Sequence, residues 1–254
     1  MFIKSIMIRS VVTVRRGETI KNTARKMAKK SVSCVVVTRK KIPVGIFTDY
    51  DLLGVMDDVI DLYKTKIETV MSAPVTPINE SADYFAAARN MSRMEVRRFI
   101  VVNGDGKLCG IVTATDIVKS FATRSLSYRT RLGAVASQGL TATPNTPLKK
   151  IARMMMEGRR YCVAIIKNRK PIGLITTFQL VKLAARYKEP LKEKASARMI
   201  KDIAVADTAG SLRESVMMML KKKRQNIVVI DDRGWYCGMV AQNELVSFID
   251  KSHL

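Results

Sequence analysis

The chain has 254 residues, 47% of them hydrophobic, a size that can bury a substantial core in one or two domains without disulfide or metal staples. Lys and Arg number 45 against 22 Asp and Glu, and the net charge of +23 favours anionic partners such as nucleotides, nucleic acid or an anionic membrane surface. The four cysteines have no CxxC spacing and the one histidine, His253, is next to the C-terminus, which argues against zinc sites and His-based catalytic triads.

Hydropathy gives no sign of export or membrane insertion. The opening segment lacks the long apolar core of a signal peptide, and no run approaches the roughly 18 apolar residues of a membrane span. We therefore expect a soluble cytoplasmic protein with reduced thiols and no membrane partner.

The chain repeats itself with a period of about 64 residues. Methionines recur at this interval at Met27, Met91, Met155 and Met219, and again at Met7, Met71 and Met199. Glycines follow at nearly the same interval, at Gly45, Gly110, Gly173 and Gly238. The sequence predicts four repeats, at residues 1–64, 65–125, 126–192 and 193–254, with the helical methionines in the core.

The first repeat predicts five elements in chain order. "VVTV" (11–14) indicates a short strand, and apolar residues from Ile20 recur at helical spacing. "CVVVT" (34–38) and "VGIFT" (44–48) are β-branched runs separated by the turn-like "RKKIP", and a second helix follows. The predicted unit is strand, helix, strand, strand, helix.

The later repeats keep this order. In the second, "NGDG" (103–106) predicts a hairpin turn, because these residues can adopt positive φ. The basic runs "KMAKK", "MEGRR" and "LKKKR" fall at the same place in repeats one, three and four. We interpret them as the last turn of the first helix, where cations complement the helix dipole.

Two copies of one motif carry the candidate site. "GIFTDYDLL" (45–53) and "GIVTATDIV" (110–118) each place a Thr three residues before an Asp, in the pairs Thr48 with Asp51 and Thr113 with Asp116. This spacing is typical of a capping box, which stabilises the start of a helix. A short carboxylate fixed there could instead accept hydrogen bonds from both ribose hydroxyls, with the Thr hydroxyl and the free helix N–H groups binding phosphate. The residues alone leave both interpretations open.

Repeats three and four depart from the motif. Repeat three has Thr176 and Gln179, and repeat four has Ala241 and Glu244. Gln179 has no charge, whereas Glu244 keeps a charge on a longer side chain but lacks its Thr. We therefore expect the ligand in the first two repeats.

The motif pair and the repeated element order resemble the cystathionine β-synthase (CBS) domain family over nearly the whole chain. The resemblance implies an α/β (α+β) fold of four CBS domains, in which consecutive domains pack through their sheets into two Bateman modules. It also implies clefts that bind AMP, ADP, ATP or S-adenosylmethionine, with Thr48, Asp51, Thr113 and Asp116 at the ribose and phosphate.

A basic pair just before the middle strand is a further feature of the resemblance. "EVRRFIVV" (95–102) puts Arg97 and Arg98 at this position, where the family's basic residues reach ligand phosphates. Arginine forks suit phosphate geometry. The alternative is that the two arginines form an exposed strand edge whose charge prevents aggregation.

We conclude from the sequence that the protein is a regulator rather than an enzyme, because no nucleophile, base and orienting residue can be assembled. The resemblance leaves a protein partner and a homodimer open. The main alternative is a nucleic-acid binder that uses the basic surface of repeat three and the linker 121–135, since the repeats divide the charge as +7, +2, +12 and +2. A second alternative is a scaffold in which both Thr–Asp pairs only cap helices.

Overall fold

The computed structural model describes residues 1–58, 60–124 and 129–252, which form four units of three strands and two main helices. The strands are β1 (Thr13–Val14), β2 (Cys34–Arg39), β3 (Ile42–Thr48), β4 (Ile78–Asn79), β5 (Arg98–Val102), β6 (Leu108–Thr113), β7 (Leu140–Ala142), β8 (Cys162–Lys167), β9 (Lys170–Thr176), β10 (Ala204–Asp207), β11 (Asn226–Ile230) and β12 (Tyr236–Ala241). The helices are α1 (Ile20–Lys30), α2 (Asp49–Asp57), α3 (Tyr84–Arg93), α4 (Ala114–Arg124), α5 (Leu148–Glu157), α6 (Thr177–Arg186), α7 (Ala195–Arg198), α8 (Leu212–Lys221) and α9 (Gln242–Lys251).

Every unit has the same sheet topology. The first strand pairs in parallel with the second, and the second pairs in antiparallel with the third. The first helix makes the crossover that a parallel pair requires, while a tight hairpin joins the antiparallel strands. The predicted order of elements and the α/β class are confirmed.

The hairpin of the first unit is shorter than the sequence indicated. Lys40 and Lys41 alone form the turn, with φ of 50° and 68°, so that the strands extend to Arg39 and Ile42. Two-residue turns of this kind usually use Asn and Gly, because other residues are strained at positive φ. The predicted turn at "RKKIP" is therefore present, but the two lysines gave no signal that it would be only two residues long.

The basic runs lie differently from our interpretation. Lys29 and Lys30 do occupy the last turn of α1, as expected. Arg159 and Arg160 lie beyond the end of α5, and most of "LKKKR" lies beyond α8. The helix-dipole interpretation is therefore wrong for most of these residues, and Arg160 is used in the site described below.

Each repeat exchanges its leading segment with its neighbour in the chain. Residues 3–9 pack on the second unit, where the backbone N–H of Ile3 donates to the Ala82 carbonyl at 2.9 Å and Ile8 pairs with Ile111. Ser72 correspondingly pairs with Ile46 in the first unit. The second half of the chain repeats the exchange in the pairs Ser137–Met239 and Leu174–Ile200. Consecutive repeats are therefore interlocked as two modules.

This exchange explains the periodic glycines and methionines. A Cβ atom at Gly110 would lie 2.6 Å from the sulfur of Met7, and one at Gly173 would lie 2.9 Å from that of Met199. Both distances are shorter than van der Waals contact, so a larger residue at either position would force the methionine of the leading segment to move. The periodic pair is a packing requirement between repeats.

The hydrophobic core joins the two modules. One cluster combines buried residues of repeats one and three, and another combines those of repeats two and four. The helices make these contacts, with α1 against α6, α2 against α5 and α6, and α9 against α3 and α4. A further cluster joins the sheets of repeats three and four. The methionines predicted to be core residues are buried, at Met27, Met91, Met155 and Met219.

Among the described residues, no helix is long and apolar enough to cross a membrane. The same residues contain no group of three or more Cys, His, Asp or Glu side chains that could hold a metal ion. His253 lies outside the described residues, as do residues 125–128 of the linker that we considered for nucleic-acid binding.

Candidate functional site

Thr48 and Asp51 form a complete capping box at the start of α2. Thr48 Oγ1 accepts hydrogen bonds from the backbone N–H groups of Tyr50 and Asp51, both at 3.2 Å. Asp51 Oδ2 accepts from the backbone N–H of Thr48 at 2.7 Å and from its hydroxyl at 2.8 Å. The second Asp51 oxygen, Oδ1, accepts from the Ser72 hydroxyl of repeat two at 3.1 Å. Both carboxylate oxygens of Asp51 are thus engaged.

Thr113 and Asp116 form the corresponding pair at the start of α4, although no described N–H group donates to Thr113 Oγ1 as two do to Thr48 Oγ1. Asp116 Oδ2 accepts from the backbone N–H of Thr113 at 2.9 Å and from its hydroxyl at 2.6 Å. In the part of the chain that the structure describes, no other residue donates a hydrogen bond to the other oxygen, because the segment facing it carries Ile8 where the first site has Ser72. The backbone N–H of Asp116 itself also interacts with the carboxylate. The Oδ1 oxygen is available to a hydroxyl group.

Burial raises the pKa of both carboxyl groups above the usual range of aspartate. For Asp51, hydrogen bonds from Thr48 and Ser72 and the positive charge of Arg98 offset this rise in part. For Asp116, the Thr113 bonds and the charge of Lys119 do the same. Donors supplied by a ligand would stabilise the ionised form of either group.

The third repeat keeps only part of this geometry. Thr176 Oγ1 accepts from the backbone N–H of Gln179 at 3.2 Å, as a helix cap. The side-chain oxygen of Gln179 is buried and has no hydrogen-bond partner among the described residues. The third repeat therefore provides a cap without a charged acceptor.

The fourth repeat uses its acid within the protein. Glu244 accepts from the backbone N–H of Ala241 at 3.0 Å, from the Ser137 hydroxyl at 2.8 Å and from the Arg160 guanidinium at 2.7 Å. Ser137 corresponds to Ser72 of the first site, so Glu244 and Asp51 each accept a hydrogen bond from an equivalent serine. The additional Arg160 neutralises Glu244, and the sequence pattern gave no signal of this ion pair.

Arg97 points from repeat two into the other module. Its Nη2 atom donates to the side-chain oxygens of Gln225 and Gln242, at 2.7 and 2.9 Å. Its guanidinium stacks on the Tyr161 ring at 4.1 Å from the centroid. The residue is only 8% exposed, and burial lowers the pKa of Arg97 from its usual value. It lines a small cavity with Gln242 and Glu244, away from Asp51.

Arg98 points in the other direction, toward repeat one. It donates to the Ser33 carbonyl at 2.8 Å and pairs with Asp49 at 3.3 Å, and both charged side chains are buried. The second oxygen of Asp49 accepts a short hydrogen bond from the Thr177 hydroxyl of repeat three. The interpretation of Arg97 and Arg98 as an exposed strand edge is therefore wrong.

The side chains of the six candidate residues therefore lie in separate parts of the structure. Strand pairing sets Arg98 opposite Thr113, and the Ala114 N–H donates to the Arg97 carbonyl at 2.8 Å, so the backbones adjoin. The side chains nevertheless diverge, and the charge of Arg98 acts on Asp51 of the first repeat. Sequence spacing correctly located both arginines on the chain but could not reveal which repeat each would face.

A cavity of about 820 Å³ opens between the modules beside these residues. Its charged and aromatic lining comes from all four repeats and includes Tyr50, Glu95, Arg160, Tyr161, Glu244 and Lys251. The Tyr50 and Tyr161 rings lie 5.5 Å apart, and the Tyr50 hydroxyl donates to the Met156 carbonyl at 2.8 Å. Because the lining residues come from all four repeats, no motif within one repeat indicates this cavity.

Comparison with known proteins shows what the chain is similar to. The sequence model described as "CBS domain" matches residues 3–58, 67–123 and 133–186. A protein of Methanopyrus kandleri, MK0525, is 34% identical over 113 residues, which cover 44% of this chain and 58% of that protein. The chain spans 58, 25, 36 and 38% of the length of the first curated relatives it matches.

Two solved structures resemble the whole chain. Protein MJ1225 of Methanocaldococcus jannaschii superposes with a TM-score of 0.89 at 17% identity, over 98% of this chain and 99% of that chain. A conserved protein of Pyrococcus horikoshii superposes with a TM-score of 0.67 at 20% identity, over 98% of this chain and 100% of that one. At these identities the similarity shows a shared fold of four tandem units.

Proposed function

The chain belongs to the CBS domain family, and we propose that it is a regulatory protein whose first two repeats bind an adenine-containing ligand of the AMP, ADP, ATP or S-adenosylmethionine class. In this proposal Thr48, Asp51, Thr113 and Asp116 hold the ribose and the start of the phosphate chain. The ligand stabilises one arrangement of the two modules, and a partner protein recognises it. The protein carries out no reaction.

The observation that supports this proposal most strongly is the geometry of Asp116. Its Oδ2 atom is fixed by two hydrogen bonds from Thr113, while no other described residue donates to its Oδ1 atom. A carboxylate oxygen that solvent can reach can accept a charge-assisted hydrogen bond from a ligand, and a ribose hydroxyl is a suitable donor.

Phosphate recognition is proposed for the start of α4 and for the two arginines. The first N–H groups of α2 are already used, since Tyr50 and Asp51 donate to Thr48 Oγ1. At α4 the Ala114 N–H donates to the Arg97 carbonyl, and the N–H groups that follow it lie at the helix end, where a phosphate is favoured. Arg97 donates through Nη2 in both of its hydrogen bonds, and a guanidinium has five N–H donors. Its other donors could bind a phosphate without breaking the contacts to repeat four.

Regulation would act through the contacts between the modules. A ligand shifts a conformational equilibrium only by its difference in affinity for the two states. The residues near the proposed site connect repeats two, one and three, since Arg98 binds Asp49 and Asp49 binds Thr177. A ligand that changes the position of α2 would therefore alter the contact with repeat three.

Mass spectrometry of small molecules released from the purified protein tests the proposal. We expect an adenine-containing compound, recovered in smaller amount from an Asp51→Asn/Asp116→Asn variant. Gln179→Ala is the matched control at the same position of repeat three, and it should leave the yield unchanged. Equal recovery from wild type and the double variant would contradict the assignment of these carboxylates.

A further inference from the structure

The charge of this protein is concentrated on one half of the molecule. Residues 10–72 and 138–200 form the half built on the shared core of repeats one and three. They carry a formal net charge of +16, and the rest of the chain carries +7. The core contacts between the modules therefore gather the two most basic repeats on one side.

Within this half, two helix pairs occupy equivalent positions but differ in charge. The pair α1 and α6 has a net charge of +7 and contains no acidic residue, whereas the equivalent pair α5 and α2 has a net charge of −1. Both pairs contribute buried residues to the same core, and the helices of each pair contact one another. Helix packing in this fold therefore does not require the positive charge of α1 and α6.

The outer faces of α1 and α6 form one basic surface. The Lys21 ammonium near the start of α1 donates to the Ala184 and Tyr187 carbonyls at the end of α6, at 2.7 and 3.0 Å, so the helices pack side by side in opposite directions. We call this surface the α1/α6 face; its exposed cations are Arg25, Lys26, Lys29, Lys30, Lys182 and Arg186. None of the six forms an ion pair with any described residue.

Two exposed tyrosines lie at one end of the α1/α6 face. The Lys21 ammonium is 5.0 Å from the centroid of the Tyr63 ring, and it also contacts the Tyr187 backbone. Tyr63 is 49% exposed and Tyr187 is 38% exposed, and the Arg198 guanidinium lies 4.8 Å from the centroid of the Tyr187 ring, so that a base would stack on the other face of that ring. Exposed aromatic rings beside a row of cations suit a chain of phosphates that carries planar bases.

We propose that the α1/α6 face binds single-stranded nucleic acid, with the six cations on its phosphates and Tyr63 and Tyr187 stacked on bases. The face has no exposed aliphatic side chain on either helix that could insert into a lipid bilayer. The sequence suggested a nucleic-acid-binding surface on repeat three and the linker 121–135. The α1/α6 face differs from it, because it uses α1 of repeat one together with α6 and does not include the linker. It shares no residue with the proposed nucleotide site.

Anisotropy titrations of the full chain with a 20-nucleotide poly(U) RNA, a poly(dT) DNA and a duplex of equal length test this proposal. We expect both single strands to bind more tightly than the duplex, and the preferred strand identifies RNA or DNA. With six phosphate contacts at most, log K should fall with log salt concentration at a slope of about −4 or less steeply.

Matched variants locate the surface. Lys29→Gln/Lys182→Gln should weaken binding at low salt at least tenfold and make the slope less steep by about 1.4. Lys149→Gln/Lys150→Gln removes the same charge from the equivalent pair α5 and α2, and should change affinity less than twofold. Tyr63→Leu/Tyr187→Leu should weaken single-strand binding about fivefold or more without changing the slope.

Several results would overturn the proposal. Equal losses in the two lysine variants would show that only the overall charge matters. Unchanged binding in the tyrosine variant, or tighter binding to duplex, would exclude base stacking at this face. Stronger binding to phosphatidylserine vesicles than to either oligonucleotide would assign the face to a membrane. Asp51→Asn/Asp116→Asn should leave oligonucleotide binding unchanged, so a failure here is distinct from a failure of the nucleotide site.

Discussion

Asp51 and Asp116 occupy equivalent positions, but their carboxylates accept different numbers of hydrogen bonds from other residues of the protein. Asp51 accepts a hydrogen bond from Ser72 on the oxygen that Asp116 leaves without a partner in any other described residue. A ligand at Asp51 must replace the Ser72 contact, whereas a ligand at Asp116 adds a hydrogen bond. The two sites should therefore differ in affinity although their motifs look alike.

Substitution of each carboxylate should reveal this difference. We expect Asp116→Asn to weaken AMP binding by about 1.5–3 kcal/mol, the usual effect of losing a hydrogen bond to a charged group. Asp51→Asn should have a smaller effect, and Ser72→Ala should strengthen AMP binding because it frees an oxygen of Asp51. Calorimetric titration measures all three, and a larger loss for Asp51→Asn than for Asp116→Asn would contradict the comparison.

Acidity should change binding and stability in opposite directions. Burial raises the pKa of both carboxyl groups, so protonation begins at a higher pH than for an ordinary aspartate. A ligand that needs the ionised form should lose affinity as the pH falls through this raised range. The folded protein instead holds these protons more tightly than the unfolded chain, and gains stability over the same range.

Titration with AMP and chemical unfolding at several pH values measure both effects. Relative to Asp51→Asn/Asp116→Asn, the ligand-free wild type should become more stable as the pH falls from neutral through the raised pKa values. The same comparison should show the wild type losing its advantage in AMP binding. A difference in stability that does not vary with pH would show that the two pKa values are not raised.

The order of elements could be predicted from the sequence because the same sequence pattern recurs in all four repeats. Met27 and its three counterparts mark the same buried helix position, and they are buried. A turn was predicted at "RKKIP", but its two-residue form at Lys40 and Lys41 could not be, since neither residue prefers positive φ. The partners of Arg97 and Glu244 also lay beyond sequence reasoning, because both residues bind groups of other repeats.

The strained turn gives a prediction about stability. Replacing Lys40 and Lys41 by Asn and Gly suits the observed φ values, and we expect the pair to stabilise the protein by about 1 kcal/mol. The Leu108 N–H that donates to the residue 41 carbonyl keeps its partner. Lys182→Gly removes one lysine charge where the turn variant removes two, and it places a glycine inside α6, so it should destabilise by about 1 kcal/mol. Thermal unfolding compares them, and a loss of stability in the Asn-Gly variant would contradict the turn geometry.

At the scale of the whole molecule, a few buried polar groups join the modules. Arg98, Asp49 and Thr177 connect repeats two, one and three, while Arg97 connects repeats two and four through Gln225 and Gln242. Paired buried charges tolerate little change, because removal of one partner leaves the other unpaired in the interior. The interface between the modules should therefore depend strongly on Asp49.

Two aspartates on α2 provide a matched test of this dependence. Asp49 pairs with buried Arg98, and Asp57 pairs at 3.4 Å with Arg153, which is largely exposed. Asp49→Ala should lower the free energy of unfolding by about 3–5 kcal/mol. Asp57→Ala should lower it by about 0–1 kcal/mol. Denaturant unfolding measures both, and equal effects would mean that the buried pair does not stabilise the interface.

The nucleotide-dependent change in melting temperature tests the proposed function most directly. AMP at about 100 times its dissociation constant should stabilise the wild type by about 2.7 kcal/mol and raise its melting temperature measurably. We expect the increment to shrink in Asp51→Asn and in Asp116→Asn, to vanish in the double variant, and to stay nearly unchanged in Gln179→Ala. If the double variant keeps the full AMP-dependent increment, the two aspartates only cap helices and the ligand site lies elsewhere.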